Sequence, residues 1–154
     1  MERKRRSKME YKESPELKEI NRLIKELMDL YYEISLKSGL SDSAFDILYA
    51  LVSMGSGCMQ KDIADYYHVS RTTINSSAKK LEEQGYLTMQ KGQGKNKHLF
   101  LTDAGKKLVS EKIIPVMQME AGIFAEMKPG EGKEFLRLFQ EYIRIYRERI
   151  VSRK

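Results

Sequence analysis

The stretch "VSRTTINSSAKKLEEQGYL", from Val69 to Leu87, decides how this chain is read. Ile74, Ala78 and Leu81 recur at helical spacing and share one face at about 100° per residue. The other side carries Thr72, Ser76, Lys79, Lys80 and Glu83, with Thr73 beside them and Asn75 on a flank. Ser, Thr and Asn are mediocre helix formers, because their side chains compete for local backbone hydrogen bonds. A surface selected for helicity would hold Glu, Lys and Ala instead. Here the first two turns are small, hydroxyl-bearing and free of acid, and Glu82 and Glu83 come only at the C-terminal end. That distribution suits a helix whose N-terminal half enters a DNA major groove. Small side chains allow close approach, hydroxyls bond to phosphates or base edges, and Thr methyls meet thymine methyls. Taken alone, the stretch leaves an exposed helix of poor propensity as the lesser alternative.

The flanking sequence narrows the choice. His68, Val69 and Ser70 form a three-residue turn, with Ser70 placed to cap the helix that follows. Before the turn, a short helix over roughly 60–67 directs Ile63, Ala64 and Tyr67 inward. Before that, Ser41 caps a helix whose buried face is Phe45, Leu48, Leu51 and Val52, stopped by "GSG" at 55–57. After Gly85, "YLTMQK" and "KHLFL" read as two short strands joined by the glycine-rich, basic "GQGKN". Two helices across a short turn, followed by a hairpin, is the order of a winged helix-turn-helix.

Charge agrees with that order. The chain of 154 residues has a formal net charge of +6. Residues 59–101 hold seven Lys or Arg against four Asp or Glu, and no acid lies between Glu83 and Asp103. Lys91, Lys95 and Lys97 place most of the excess at the hairpin tip. The "GQGK" at 92–95 lacks the spacing of a phosphate-binding loop and does not lead from a strand into a helix. A basic wing lying along DNA is the better reading. Candidate DNA contacts are therefore Ser70, Arg71, Thr72, Thr73, Asn75, Ser76, Lys79 and Lys80 on the helix, and Lys91, Lys95 and Lys97 on the wing.

The ends of the chain read differently. From Pro15 to Lys37, Leu17, Ile20, Ile24, Leu27, Tyr31 and Ile34 form a helical seam, widened by Leu23, Met28, Leu30 and Tyr32. Thr102 caps a fifth helix with Pro115 inside its apolar pattern, so a kink or local break is expected. "MKPGEGK" is a turn. The last helix sets Phe135, Leu138, Phe139, Tyr142, Ile145 and Tyr146 on one side. Helices apolar on two sides need a second surface to cover them, which favours a dimer. The fold expected is mainly α (α+β), a winged helix-turn-helix with N- and C-terminal dimerisation helices. Its parts are a flexible basic arm at 1–14, a dimerisation helix at 15–39, a DNA-binding lobe at 40–103 and C-terminal dimerisation helices at 104–154.

These residues resemble the MarR (multiple antibiotic resistance regulator) family of bacterial transcription factors over about 17–150. The resemblance rests on "LSDSAFDIL", on "QKDIADYYHVSRTTINSSAKKLEEQGYL", and on "KHLFLTDAGKKL", where Leu-Thr-x-x-Gly leads into the fifth helix. It implies a homodimer with interlocked terminal helices, a pseudo-palindromic operator in double-stranded DNA, repression, and release by a small phenolic or other effector. In some members cysteine oxidation releases the DNA. Two departures stand out. Gln93 and Lys95 occupy positions where family wings usually carry Asp-x-Arg, so the wing loses the bidentate fork of Arg. Ser76 stands where an Arg often does, which shifts specificity towards Arg71, Thr72, Thr73 or DNA shape.

Other signals are weaker. The single cysteine, Cys58, excludes an intrachain disulfide and suits a reducing cytoplasm. It precedes a helix, but a small, partly buried residue is a better reading than a redox sensor. His68 and His98 stand apart from any ligand cluster, so neither metal nor cofactor is expected. No nucleophile elbow, carboxylate pair or other catalytic constellation stands out, and an enzyme is not expected. No apolar run is long enough to cross a bilayer, and the basic start is not expected to be a signal peptide. Met28, Tyr31, Tyr32, Met54 and Met117 are candidates for an adaptable effector pocket, with plain core packing as the alternative for each. The rival reading overall is a winged-helix adaptor that binds protein and not DNA. It would want apolar residues on the outer face of 71–80, and there are none.

Overall fold

Cap residues set most of the helix starts. In a computed structural model describing residues 12–153, the elements are α1 (Pro15–Ser38), α2 (Asp42–Ser53), α3 (Gln60–Tyr67), α4 (Arg71–Glu83), β1 (Leu87–Lys91), β2 (Lys97–Leu101), α5 (Asp103–Lys112), α6 (Ile114–Glu126) and α7 (Glu131–Val151). Of the basic arm at 1–14, residues 1–11 lie outside the described residues. The hydroxyls of Ser41, Ser70 and Thr102 accept from the N–H groups of Ala44, Thr73 and Gly105, at 3.3, 3.1 and 3.1 Å. Each such cap is worth about 1 kcal/mol to its helix. Ser14 caps α1 in the same way, and Gly39, at φ 75°, ends it in the left-handed conformation.

The core lies in the central lobe. Ile47, Leu48 and Leu51 of α2 meet Ile63 and Ala64 of α3, and Ile74, Ala78 and Leu81 of α4 close the helical layer. Leu87 and Leu99 seal it from the hairpin, while Val109 and Ile113 seal it from α5. The buried face of α2 is centred on Ala44, Ile47, Leu48 and Leu51; the expected Phe45 and Val52 are only half-buried on its margin. His68 is the one non-glycine with positive φ among the described residues, at 53°. It lets the chain reverse between α3 and α4.

The hairpin is antiparallel, pairing Leu87 with Leu101 and Lys91 with Lys97. A third backbone segment joins it, which the sequence did not signal. Met59 bridges His98, Leu99 N–H donates to the Cys58 carbonyl at 3.0 Å, and Gly57 N–H donates to the Leu99 carbonyl at 2.6 Å. The loop before α3 thereby anchors the wing.

The region after the hairpin holds three helices where two long ones were expected. The break expected near Pro115 falls at Ile113, which separates α5 from α6 and is itself fully buried. Pro115 sits in the first turn of α6, where its missing N–H has no partner to lose. The terminal helices contrast sharply with the lobe. Neither α6 nor α7 buries a residue, and α1 buries only Ser35. Among the described residues, eight exposed large apolar side chains lie on α1, four on α6 and nine on α7, leaving only Met54 and Tyr66 elsewhere. Among the described residues, no helix is long and apolar enough to cross a membrane.

Candidate nucleic-acid interface

Ile74, Ala78 and Leu81 anchor α4 in the core, each at 1% exposure or less. That fixes which side faces out. Arg71, Thr72, Thr73, Ser76, Lys79 and Lys80 are exposed, and Asn75 is half-buried on the flank. Two of the candidate hydroxyls have local work. Ser70 Oγ caps the helix and lies 2.7 Å from Thr73 Oγ1. Thr72 and Ser76 keep their hydroxyls clear of such bonds among the described residues, and they lie between Arg71 and the two lysines.

Ser77, not among the candidates, holds α4 to its neighbour. Its Oγ is 2.5 Å from Ser43 Oγ in the first turn of α2. Glu82 turns away from the exposed face and accepts from Met89 N–H at 2.8 Å, tying the end of α4 to β1. Glu82 is therefore spent on the fold, with its charge directed at backbone, and Glu83 is the acid left exposed at the C-terminal end of α4.

At the wing, Lys91 and Lys97 are partners across the last rung of the hairpin, and Lys95 sits in the tip between them. Like charges directly opposite one another are unfavourable by themselves, so the tip stores positive potential. Gly92 N–H donates to the Asn96 carbonyl at 2.8 Å, and Gly94 takes φ +67°, which closes the turn. Lys91 and Lys95 are exposed and Lys97 is half-buried.

Several cations elsewhere are neutralised within their own helices. Arg22, Lys25 and Lys37 on α1, and Arg137 and Arg144 on α7, are ion-paired within their own helices. Lys106 and Lys107 on α5 are paired likewise. Among the described residues, none of Arg71, Lys79, Lys80, Lys91, Lys95 and Lys97 has a carboxylate within 4 Å. A helix face and a wing with unpaired cations can neutralise phosphates without first breaking internal ion pairs.

The other candidates divide. Met28, Tyr31 and Tyr32 line a cavity of about 690 Å³ between α1, α2 and α3. Tyr31 and Met117 line an adjoining one of about 670 Å³ between α1 and α6. Met54 lines neither; it caps the C-terminal end of α2, beyond the turns that face the cavities. Tyr49 and Glu120 stand between the two, with the phenol donating to the carboxylate at 2.7 Å. Burial pushes the Cys58 thiol up, so it is held in the unreactive protonated form. His98 is engaged through Nδ1 with the Gly57 carbonyl at 2.8 Å.

A core-anchored helix presenting this face, beside a basic hairpin, defines a winged-helix protein. Residues 38–95 match the model of the MarR family. It is similar to YwoH of Bacillus subtilis (strain 168), described as an uncharacterized HTH-type transcriptional regulator. The two are 28% identical over 106 residues, which is 68% of this chain and 77% of the relative. Among solved structures, its fold is similar to that of NMB1585, a MarR family regulator from Neisseria meningitidis. The TM-score is 0.80 at 19% identity, covering 92% of this chain and all of the other. BpsR of Bordetella bronchiseptica, whose DNA binding is regulated by 6-hydroxynicotinic acid, has a TM-score of 0.62 at 19% identity over 80% of this chain and 98% of its own. The family and the relative support a DNA-binding transcriptional regulator.

Proposed function

We propose that the protein is a cytoplasmic, non-catalytic, homodimeric repressor that binds a pseudo-palindromic operator and is released by a small-molecule effector. Arg71, Thr72, Thr73, Asn75, Ser76, Lys79 and Lys80 meet base edges and phosphates in the major groove, with Ser70 at the phosphate-proximal end of the helix. Lys91, Lys95 and Lys97 follow the backbone beside it. The observation that carries this reading is the set of six cations without a carboxylate partner among the described residues, on the outer face of α4 and the wing, where the first two turns of α4 hold no acid.

Dimerisation is supported by the terminal helices. The isolated chain exposes 12775 Å², against about 8,000 Å² for a compact monomer of its mass. An excess of several thousand Å² is the size of surface that obligate dimers cover. A second copy, presenting the same apolar faces of α1, α6 and α7, is the occupant that fits. Two recognition helices would then lie in successive major grooves, about 34 Å apart.

Selection of bound duplexes from a random pool, at about 150 mM salt, tests the reading. The expected result is a two-fold palindrome, lost in the Thr72→Ala/Lys80→Ala double variant. A pool that stays random, for folded dimeric protein tested with and without candidate effectors, would favour a protein-binding adaptor instead.

A further inference from the structure

Six aromatic rings converge on the cavity between α1, α2 and α3: Tyr31 and Tyr32, Phe45 and Tyr49, Tyr66 and Tyr67. Phe45 and Tyr49 are tilted at 6.1 Å between centroids, and Tyr66 meets Tyr67 edge-on at 5.0 Å. The same walls carry four carboxylates, Asp29, Asp42, Asp46 and Glu120, and one ammonium, Lys25. Lys25 is already ion-paired with Asp29, one turn along α1. The remaining three carboxylates receive no cation. Asp42 accepts from the Ser35 hydroxyl and Glu120 from the Tyr49 phenol. Asp46, half-buried among the rings, sits close enough to Asp42 for the two to repel.

We propose that this cavity binds an organic cation, a quaternary or protonated amine or a phosphonium with an aromatic or branched apolar body. The proposal deepens the effector-responsive reading above and rests on it for its regulatory meaning. Positive charge over the face of a tyrosine ring is attracted by the ring quadrupole, more strongly when water is excluded. Three uncompensated carboxylates add a field of the same preference. An aromatic acid or phenolate entering here would meet like charge and find no free Lys or Arg. The adjoining cavity offers none either, since its Lys37 is paired with Glu33 at 3.7 Å. The regulator BpsR answers to an acid; the walls of this cavity favour a cation.

The site also touches the DNA-facing helix through one bond. Asp42 and Asp46 lie on α2, and Ser43 between them is 2.5 Å from Ser77 of α4. A cation drawn to these carboxylates therefore acts on the helix turn that holds α4.

Calorimetric titration of the full chain without DNA tests the ligand class. The probes are tetraphenylphosphonium and tetraphenylborate, ions of the same shape and opposite charge. The expected result is saturable binding of the cation and none of the anion. Asp46→Asn/Glu120→Gln should weaken the cation roughly tenfold or more, and Tyr66→Leu roughly threefold or more, with unchanged circular dichroism. Equal or tighter binding of the anion, no saturable heat with the cation, or an unaltered carboxylate variant would overturn the proposal. Operator selection is scored separately, so loss of DNA binding with cation binding intact would count against the regulator reading alone.

Discussion

Gly105, in the first turn of α5, lies directly against the backbone of Tyr86, so that a Cβ there would stand 1.8 Å from the Tyr86 carbonyl oxygen. The same carbonyl accepts from Thr102 N–H at 3.1 Å, and the Thr102 hydroxyl donates to the Gly85 carbonyl at 2.6 Å. The Leu-Thr-x-x-Gly element is thus a clasp that fixes α5 to the junction between α4 and the wing. Ala is the better helix former by about 1 kcal/mol, yet Gly105→Ala has to displace backbone. A net loss of about 2 kcal/mol follows, seen as a fall in Tm of roughly 5 °C. A variant melting at or above the wild type would show that Tyr86 can move aside freely.

The wing lysines can be counted by salt. If each neutralises a phosphate, Lys91→Ala and Lys95→Ala should each reduce the log–log salt slope of duplex affinity by about 0.9. Lys106, ion-paired with Asp103 at 3.1 Å, supplies the control, since Lys106→Ala should leave the slope unchanged. Fluorescence anisotropy over a series of salt concentrations reads both. Equal slopes in all the variants would remove the wing from the interface.

On α7, Phe135 stacks on Phe139 with ring centroids 5.9 Å apart, and Leu138 beside them is 53% exposed. In a two-fold dimer, Leu138→Glu places two charges in the covered face, and the monomer–dimer Kd should rise roughly a hundredfold or more. Sedimentation equilibrium measures it. The lobe of α2 to α5 should survive, because its core contains no residue of α7. Dimers of undiminished affinity would move the interface elsewhere.

Asp46 makes stability depend on pH. Burial, and then repulsion from Asp42, raise its carboxyl from 3.8 to about 6. Around it stand Asp42 and Tyr49 on α2, Tyr67 on α3, Glu120 on α6 and the Lys25–Asp29 pair on α1. The folded state holds this proton more tightly than the unfolded chain. The stability it contributes is therefore complete below about pH 4 and lost as pH rises through about 6. Asp46→Asn should match the wild type near pH 4 and exceed it by about 1 kcal/mol at pH 7, a figure already discounted for the half-exposed setting. Urea melts across that range would show it. A constant gap between the two proteins would mean Asp46 does not titrate differently on folding.

The local half of this architecture was legible in the sequence. Ile74, Ala78 and Leu81 face the core because helix geometry alone puts them on one side, and the exposed face of α4 follows from that. Ser41, Ser70 and Thr102 are caps because a hydroxyl at that position satisfies an N–H that the helix leaves open. Pro115 signalled a break, but its place was set by Ile113, which the core claims as a buried residue. The bridge from Met59 to His98 had no signal, since a one-residue pairing carries no alternation. Met54 looked like a pocket residue by type, and only the direction of α2 takes it away.

What the sequence determined by itself is therefore periodicity, capping and the sign of local charge, all set by residues within a turn or two of each other. Pairing is different, because it depends on distance in space. Asp29, Asp42, Asp46 and Glu120 look like ordinary solvated helix acids until packing gathers them among tyrosines. The Tyr49–Glu120 hydrogen bond joins residues 71 positions apart. Which cations stay free at the wing, and which carboxylates stay uncompensated in the cavity between α1, α2 and α3, was decided only by the tertiary structure.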